Sequence, residues 1–385
     1  MKVLYITNGD SYSGSSIALL NLIEYLKEKV EIEVVFPRKK GIISKVLNNN
    51  GIKNYHFRYT MSTYSNNKSF INRSIHNIYN IIIKYYGCLR LLNILYKSKP
   101  DIIHSNNGPT EIGYICSKIT KIPHVWHLRE YIDKDFDMHP IPSFSSYIKK
   151  YSDNNNFCIT ITDGVKQHFN LKDNVVTIYD GVLKGKPKII EKKENYFLFV
   201  GRLQEAKGDL NLLKSFVEYV HRGGKYNLYY VGGYTKDREN TYNNIIESES
   251  LYGRVKLFGF REDVTDFMCR AKALFVPSRF EGFGFITAEA MFNHCLVVGR
   301  DTAGTKEQFD NGVKMTGKEI GVRFIDDNEM IQIMFDIEKN DYTDVVNRGF
   351  DVVSKLYTVE ENANKIFKLY CNILSMTRNK SKPIF

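Results

Sequence analysis

The sequence predicts an α/β protein of two domains, each a twisted parallel β-sheet with helices on both faces. Three observations support this prediction. A chain of 385 residues has room for two domains of ordinary size. Residues 2–7 and 196–200 are both short β-branched or aromatic runs, and each is followed by a glycine-containing loop and then by a segment with helical spacing. Further apolar runs alternate with helical segments in both halves, which is typical of parallel sheets covered on both faces.

The candidate strands are short runs of apolar residues between segments with helical spacing. In the first half they cover residues 2–7, 31–36, 101–104, 123–127, 157–161 and 175–178. In the second half they cover residues 196–200, 226–231, 255–258, 273–276 and 295–298. Because ligands of doubly wound sheets bind at the carboxyl ends of the strands, candidate functional residues are sought in the loops that follow these runs.

A charged segment at residues 183–195, which contains glycine and proline, marks the predicted domain boundary. We therefore expect an N-terminal domain over residues 1–185 and a C-terminal domain over residues 186–355. Residues 356–385 begin with helical spacing, and this segment is expected to form a helix that crosses back to the N-terminal domain.

Composition and hydropathy exclude several classes of protein. Hydrophobic residues make up 43% of the chain and charged residues 25%, which is typical of a globular protein and not of a disordered one. The longest apolar runs, such as residues 78–83, are much shorter than the roughly 20 residues of a membrane span. The N-terminus becomes polar too early for a secretory signal. The sequence therefore predicts a cytoplasmic protein.

The positive charge is concentrated in one segment. The net charge is +11, and residues 34–100 contain twelve Lys or Arg but no Asp or Glu, with tyrosines and phenylalanines between them. Such a segment attracts a polyanion, which can be nucleic acid, an anionic membrane surface or a phosphorylated substrate. The alternative is a solvated basic face on helices.

The strongest chemical signal is the stretch from Glu281 to Glu289. It follows the candidate strand 273–276 and a turn, and it leads into a helical segment. A strand, a glycine-containing turn and a helix N-terminus together form an anion site, because backbone N–H groups point at the ligand. Gly282 and Gly284 allow a ligand to approach the backbone closely. The two carboxylates suit a ligand with several hydroxyl groups.

This stretch, Pro-Ser-x-x-Glu-Gly-Phe-Gly-x-x-x-x-Glu-Ala, resembles the E-x7-E signature of the retaining glycosyltransferase family 4, which has the GT-B fold of two Rossmann-like domains facing a cleft. Further parts of the family pattern occur in the family's order, at residues 176–182, 200–208, 230–233, 255–264 and 303–307. The resemblance covers the second half of the chain well and the first half in a few places.

The resemblance implies that the C-terminal domain binds a nucleotide-sugar donor and the N-terminal domain an acceptor. Arg202 and Lys207 would hold the donor diphosphate, since a leaving group with two phosphates needs cations placed in advance. Glu281 would bind hydroxyls of the transferred sugar as a catalytic residue, and Glu289 would bind the ribose hydroxyls. The other donor-binding positions implied are Gly259, Phe260, Arg261, Gly282, Phe283 and Gly284.

In the N-terminal domain the resemblance implies two site positions. Gly14 corresponds to the glycine of the loop after the first strand, although the second glycine of the family pattern is missing here. His127 would contact the sugar near the reacting carbon as a catalytic residue, and His104 is a second candidate. Arg129 and Glu130 have two possible roles, since they could touch acceptor or donor or merely pair with each other.

The sequence contains no convincing metal or cofactor motif. The alternating carboxylates Asp133, Asp135 and Asp137 could hold a hard cation, but Arg202 and Lys207 make a metal unnecessary, so we expect no metal and an acidic surface loop. The six cysteines lack the close spacing of a metal or disulfide framework; they are Cys88, Cys116, Cys158, Cys269, Cys295 and Cys371.

The predicted function is the transfer of a sugar, with retention of configuration, from a UDP- or GDP-linked donor to a glycan or polyprenyl-linked acceptor in capsule, O-antigen or other cell-surface polysaccharide synthesis. The basic segment then predicts peripheral attachment at the inner face of an anionic membrane. Two alternatives belong to other classes. The first is a sugar-nucleotide epimerase or a phosphorylase on the same fold, and the second is a basic nucleic-acid-binding protein. Confinement of the charge to one domain argues against nucleic acid as a partner.

Overall fold

A computed structural model of the chain describes residues 1–11, 13–38, 41–65, 70–153, 156–190 and 192–380. The chain forms two compact units, Met1–Gly181 with Val359–Phe385, and Val182–Thr358. The chain enters the second unit at Val182, ahead of the predicted boundary at residue 186. The reason is that the backbone amides of Val182 and Leu183 already donate to the carbonyl oxygen of Tyr357, at 3.0 and 3.2 Å.

The strands are short and alternate with helices along the chain. They are β1 (Lys2–Ile6), β2 (Glu31–Pro37), β3 (Lys53–Phe57), β4 (Thr63–Ser65), β5 (Ile102–Ser105), β6 (His124–Leu128), β7 (Met138–Pro140), β8 (Asn156–Thr160), β9 (Val175–Thr177), β10 (Tyr196–Val200), β11 (Asn227–Val231), β12 (Val255–Leu257), β13 (Ala273–Val276), β14 (Leu296–Arg300) and β15 (Val322–Phe324).

The helices are α1 (Gly14–Leu26), α2 (Ile42–Asn49), α3 (Phe70–Ser98), α4 (Ile112–Thr120), α5 (Asp133–Phe136), α6 (Phe144–Tyr151), α7 (Asp163–His168), α8 (Asp209–His221), α9 (Lys236–Ser248), α10 (Val264–Arg270), α11 (Phe285–Phe292), α12 (Ala303–Thr316), α13 (Asp327–Lys339), α14 (Thr343–Leu356) and α15 (Val359–Lys380). A short 3₁₀ turn, Glu205–Lys207, precedes α8. Among the described helices, none has both the length and the apolar character that crossing a bilayer requires.

Each unit contains one parallel sheet. In the first unit the strand order is β3-β2-β1-β5-β6-β8-β9, and in the second it is β12-β11-β10-β13-β14-β15. Every pairing in the two sheets is parallel. The strand order reverses next to β1 in the first sheet and next to β10 in the second, and ligands of such sheets bind at these switch points. The prediction of an α/β fold with two parallel sheets is confirmed.

The strands that the sequence did not reveal lie at the margins of the fold. β3 and β15 are edge strands, and the antiparallel pair β4 and β7 stands outside both parallel sheets. β3 has the polar sequence Lys-Asn-Tyr-His-Phe, and only its last residue is buried. Edge strands of this kind lack the near-continuous apolar run by which the central strands were recognised.

The long C-terminal helix α15 is part of the hydrophobic core of the first unit. Ala363 and Ile366 belong to the same buried cluster as Val3 and Tyr5 of β1. The second unit has its own core between β10, β11 and β13 and the helices around them. Each sheet is therefore stabilised by a separate apolar core, and the final helix belongs to the first.

Candidate functional site

Three glycines join the loops at the carboxyl end of the second sheet. Gly201, which follows β10, donates its N–H to the carbonyl of Val231 at 2.9 Å, and the N–H of Gly232 donates to the carbonyl of Gly259 at 2.8 Å. A side-chain carbon at Gly232 would stand 1.9 Å from the carbonyl oxygen of Gly201, and its φ of 150° also favours glycine. These contacts bring three of the loops predicted from the sequence to one edge of the sheet.

Lys207 and Glu281 form an ion pair at this edge. The Nζ of Lys207 lies 2.7 Å from Oε1 of Glu281, and both side chains are largely shielded from solvent. The contact depends on Gly208, whose φ is 68° and where a side-chain carbon would lie 2.6 Å from the carbonyl oxygen of Pro277. The cation predicted for the diphosphate and the carboxylate predicted for the sugar therefore lie side by side, which sequence reasoning did not foresee.

Two other predicted cations have different surroundings. Arg202 is exposed, and no described residue forms a hydrogen bond or an ion pair with its guanidinium. Arg261 is paired with Asp263 at 2.7 Å. Next to it, Phe260 is 76% exposed. Arg202 and Phe260 are thus available to a ligand without breaking a contact, whereas Arg261 is already engaged.

The turn Glu281–Gly284 joins the N-termini of two helices. Gly284 has a φ of 89° and directly precedes α11, and the N–H of Gly304 in the first turn of α12 donates to the carbonyl of Glu281 at 2.9 Å. A side-chain carbon at Gly304 would stand 2.4 Å from the carbonyl oxygen of Phe283. The positive ends of two helix dipoles therefore meet at the turn, an arrangement that favours an anion.

Buried polar side chains that the sequence analysis did not single out line the same turn. The Nε2 of Gln308 donates to the carbonyls of Phe283 and Gly284, at 2.7 and 3.0 Å. The hydroxyls of Thr287 and Thr305 are buried without a hydrogen-bond partner among the described residues. A hypothetical side-chain carbon on Gly284 would lie 3.4 and 3.5 Å from them. Gln308 holds the backbone of the turn, and the two hydroxyls are buried beside it without a described hydrogen-bond partner.

Glu289, on α11, is a half-buried carboxylate. Burial raises its pKa to about 6. No donor among the described residues lies within hydrogen-bonding distance of this carboxylate. A desolvated carboxylate without a partner gains stabilisation from any hydroxyl donor that a ligand brings.

His127 lies in the first unit at the end of β6, whose residues are all buried. Its Nδ1 is 3.3 Å from Nη2 of Arg129 and 3.3 Å from Nε2 of His104. A guanidinium can only donate hydrogen bonds, so Nδ1 accepts and the proton of the neutral ring is on Nε2. That Nε2 is buried without a hydrogen-bond partner in the described part of the chain. The nearest carboxylate oxygen, Oδ1 of Asp180, is 4.0 Å from Nε2, so His127 has one N–H donor without a hydrogen bond in the described part of the chain.

A chain of buried hydrogen-bonding groups continues behind His127. Nδ1 of His104 lies 2.6 Å from the hydroxyl of Tyr370. That hydroxyl lies 2.8 Å from the hydroxyl of Tyr5. Burial, and then the charge of Arg129, hold the pKa of both histidines well below the usual range. Tyr370 lies on α15, far along the chain, and no sequence signal connected it to His104.

Arg129 and Glu130 do not pair with each other, so that interpretation of the sequence was wrong. Arg129 donates to the carboxylate of Asp180 and, at 3.2 and 3.3 Å, to Oδ1 of Asn106. Glu130 accepts from Nδ2 of Asn107 at 2.5 Å. Burial and the neighbouring Asp135 raise the pKa of Glu130 to about 8. Asp180 and Asn106 hold Arg129 against His127 and belong to the site, although sequence reasoning gave them no role.

Gly14 is the exposed first residue of α1. Ser13 caps this helix, since its hydroxyl accepts from the N–H of Ser16 at 3.3 Å. Nδ2 of Asn106 donates to the carbonyl of Ser15 at 3.2 Å. The start of α1 is thus tied to the end of β5, on the side of the sheet where Arg129 lies.

Two carboxylates of the acidic segment around α5 are engaged by other residues of the chain. Asp135 accepts from the N–H groups of Tyr131 and Ile132, at 2.9 and 2.8 Å. Asp133 lies 2.8 Å from Nε2 of His168. Across the described ranges, no group of three or more His, Cys, Asp or Glu residues has an arrangement suited to a metal ion.

Comparison with known sequences finds a family model that is similar to the second half of the chain. Residues 184–325 match the family model described as glycosyl transferases group 1. An uncharacterized glycosyltransferase of Methanocaldococcus jannaschii is 28% identical over 265 residues, which cover 64% of this chain and 71% of the relative. The capsular polysaccharide biosynthesis glycosyltransferase CapM of Staphylococcus aureus is 24% identical over 254 residues, which cover 58% of this chain and 64% of the relative. The resemblance to glycosyltransferases is confirmed.

Solved structures share the fold along almost the whole chain. The crystal structure of HepE from Anabaena in complex with UDP has a TM-score of 0.76 and 17% identity, and the alignment covers 97% of this chain and 100% of HepE. A glycosyltransferase from Rickettsia africae has a TM-score of 0.73 and 17% identity, with 97% and 98% coverage. The predicted GT-B fold is confirmed.

Proposed function

We propose that this chain, whose residues 184–325 are a group 1 glycosyl transferase domain, moves a sugar from a nucleoside-diphosphate sugar to a hydroxyl group of a glycan or lipid-linked glycan. The transfer retains the anomeric configuration, needs no metal, and serves the synthesis of capsule or another cell-surface polysaccharide at the inner face of the membrane. The observation that carries the proposal is the cluster at one edge of the second sheet. There the Lys207–Glu281 pair and the N-termini of α11 and α12 meet at one glycine turn, and α11 also carries the carboxylate of Glu289.

The donor diphosphate is assigned to the positive side of this cluster. Arg202 is unpaired among the described residues, and Lys207 is 2.7 Å from Glu281. The hydroxyls of Thr287 and Thr305, which have no partner among the described residues, can donate to phosphate or sugar oxygens. Together these groups place positive charge and donors where the leaving diphosphate gains negative charge, which is the main requirement of the reaction.

The two carboxylates are assigned to hydroxyl groups of the donor. Glu281 forms an ion pair with Lys207. It therefore suits the hydroxyls of a sugar whose diphosphate is bound by the same lysine. Glu289 is desolvated and without a described partner, so it suits the ribose hydroxyls. Each carboxylate accepts hydrogen bonds that are stronger than those between neutral groups.

His127 is assigned to the transferred sugar or to the acceptor. Its Nε2–H is buried, makes no hydrogen bond to a described residue and lies 4.0 Å from Oδ1 of Asp180, and its low pKa keeps the ring neutral at physiological pH. It therefore acts as a hydrogen-bond donor and not as a general acid. The proton of the acceptor hydroxyl then passes to the leaving phosphate, which is consistent with an oxocarbenium-like transition state.

The relatives support a more specific proposal for the acceptor and for the donor nucleotide. CapM and CapH of Staphylococcus aureus are named for capsular polysaccharide biosynthesis, which favours a cell-surface glycan as the acceptor. The HepE structures contain UDP and UDP-glucose, which favours a UDP-linked donor over a GDP-linked one.

A thermal-shift screen with UDP-, GDP-, ADP- and TDP-sugars tests the proposal, because a ligand of the native state raises the melting temperature. One nucleotide class should raise Tm in the presence of EDTA, and Glu289→Gln should reduce that shift. The absence of any shift with all four classes at millimolar concentration would contradict the proposal. For the class that binds, NMR of the glycosylated product then reports whether the anomeric configuration is retained.

A further inference from the structure

The long helix α3 has one face that packs on the first unit and one that does not. On the inner face, Cys88, Leu91 and Leu95 belong to the same buried cluster as Ile112 and Cys116 of α4. At Gly87 a side-chain carbon would stand 2.8 Å from Cβ of Tyr59. Gly87 therefore allows α3 to lie close against the first unit. The face of α3 that packs on the unit is the one with Gly87, Cys88, Leu91 and Leu95.

The outer face of α3 is apolar and aromatic where an ordinary surface helix is polar. Its exposed fractions are 60% for Ile78, 61% for Ile82, 58% for Tyr85, 68% for Leu89 and 65% for Tyr96. Tyr79, Ile81 and Tyr86 of the same helix are also exposed. Single exposed apolar residues are normal, but a continuous stripe of this kind marks an interaction surface.

The positive charge of α3 favours a partner with negative charge. The sequence of α3 contains no Asp or Glu. Arg90 and Lys97 on α3, with Lys99 just beyond it, are exposed, and no described acidic residue pairs with them. The inner Lys84, by contrast, lies 2.8 Å from Glu111 of the same unit. The apolar stripe is thus accompanied by exposed cations that no described acidic residue pairs with.

We propose that the outer face of α3, from Ile78 to Tyr96, lies in the interface of an anionic membrane. Tyr96 lies 18 positions after Ile78, which is about 27 Å along the helix axis. Isoleucine and leucine side chains would enter the acyl boundary, tyrosines would stay at the headgroup level, and arginine and lysine would reach anionic headgroups.

A second copy of this chain fits the surface less well. In a two-fold contact the same patch faces itself, so Arg90 and Lys97 of one copy would approach those of the other without any acidic residue on the helix to compensate. Anionic lipid supplies that compensation. This inference does not depend on the donor site.

Vesicle flotation of the full chain tests the proposal, with pure phosphatidylcholine compared with phosphatidylcholine containing 30% phosphatidylglycerol. The wild-type protein should float with the anionic vesicles at low salt and be released by 0.5 M NaCl, because exposed charges are screened. The double variant Ile82→Ser/Leu89→Ser should bind at least tenfold more weakly, since each lost apolar side chain removes several methylene groups from the interface.

The matched control is Ile189→Ser/Ile325→Ser. It removes two side chains that are 66% and 68% exposed on the second unit, and it should bind vesicles like the wild type. Both double variants should keep the wild-type Tm shift with the nucleotide-sugar, which separates a failure of this inference from a failure of the proposed function.

Two results would overturn the inference. One is equal flotation of the wild type and Ile82→Ser/Leu89→Ser. The other is a wild-type dimer in analytical ultracentrifugation without lipid that becomes a monomer in that variant, because α3 would then be a contact between copies or between proteins.

Discussion

Nζ of Lys207 lies 2.7 Å from Oε1 of Glu281, so the group proposed to hold the diphosphate also fixes the carboxylate proposed to bind the sugar. The pair comes from two separate segments, the loop after β10 and the turn after β13, and Gly208 permits their close approach. Because the pair is partly shielded from water, its charges interact more strongly than those of an exposed pair. The proposed donor site is therefore partly organised in the absence of a donor.

Lys207→Ala should lower kcat/KM by roughly 10²-fold or more, as the removal of one charge stabiliser typically does. The expected change in stability is about 1 kcal/mol, at the upper end of the range for exposed pairs, because the pair is partly shielded from water. Steady-state kinetics and thermal melting measure the two effects. Lys236→Ala is the control, since that lysine makes an exposed pair with Glu239 on α9. Near-wild-type kinetics in Lys207→Ala would remove the lysine from the proposed site.

Glu289→Gln should stabilise the protein at pH 8 by up to about 1–2 kcal/mol. Burial raises the pKa of Glu289 from 4.5 to about 6. The folded state therefore prefers the protonated carboxyl, and the stability that this preference provides is lost as the pH rises through 4.5 to 6. Glutamine stays neutral, so the advantage of the variant should vanish below about pH 4.5.

Urea unfolding of both proteins between pH 4 and 8 checks this prediction, with Glu28→Gln as the exposed control. At the same time the donor KM should rise about tenfold, since the amide makes weaker hydrogen bonds to hydroxyls than the carboxylate. A pH-independent difference in stability would show that Glu289 is not desolvated.

Tyr370→Phe should lower kcat about 5- to 20-fold with little change in donor KM, and it should cost roughly 1–3 kcal/mol of stability because Nδ1 of His104 loses its partner. Tyr370 is a positioning residue that acts on His127 through His104. ¹⁵N NMR of the histidine rings should show the Nε2–H tautomer of His127 in the wild type and a changed signal in the variant.

Tyr25→Phe is the control for that experiment, because it removes a hydroxyl that bonds Glu360 on the exposed side of the same helix α15. Its kcat and histidine spectrum should match those of the wild type. If Tyr370→Phe loses stability but keeps both kcat and the histidine signals, Tyr370 is only structural.

The sequence predicted the parts of the molecule in which one local pattern decides the structure. The central strands were visible because both faces of a parallel sheet are buried, as in Tyr196–Val200. Glu281 and Glu289 were singled out because they lie in a strand–turn–helix segment, whereas the roles of Arg202 and Lys207 came from the family resemblance; the structure brings Lys207 and Glu281 together. The polar edge strand β3 was missed, because its sequence carries no continuous apolar run.

The parts that depend on distant contacts could not be predicted. Helical spacing revealed α15, but not that Tyr370 faces His104, because that contact joins residues 266 positions apart. Asp180 and Asn106 hold Arg129 from two different strand ends. Likewise Gln308 reaches the turn at Gly284 from α12. In each case the packing of two elements, and not a local pattern, selects the partner.

Activity should persist in EDTA. Arg202, Lys207 and the N-termini of α11 and α12 are proposed to supply the positive charge that a divalent ion supplies in metal-dependent transferases. Two of the carboxylates that could bind a metal ion have other partners. Asp135 accepts hydrogen bonds from two backbone N–H groups, and Asp133 pairs with His168. Turnover should therefore change less than twofold when EDTA is added, and Mn²⁺ or Mg²⁺ should not stimulate it.

A second assay with Asp133→Asn/Asp137→Asn should also give near-wild-type rates. Loss of activity in EDTA with recovery on Mn²⁺ would contradict this charge assignment and return attention to that acidic segment.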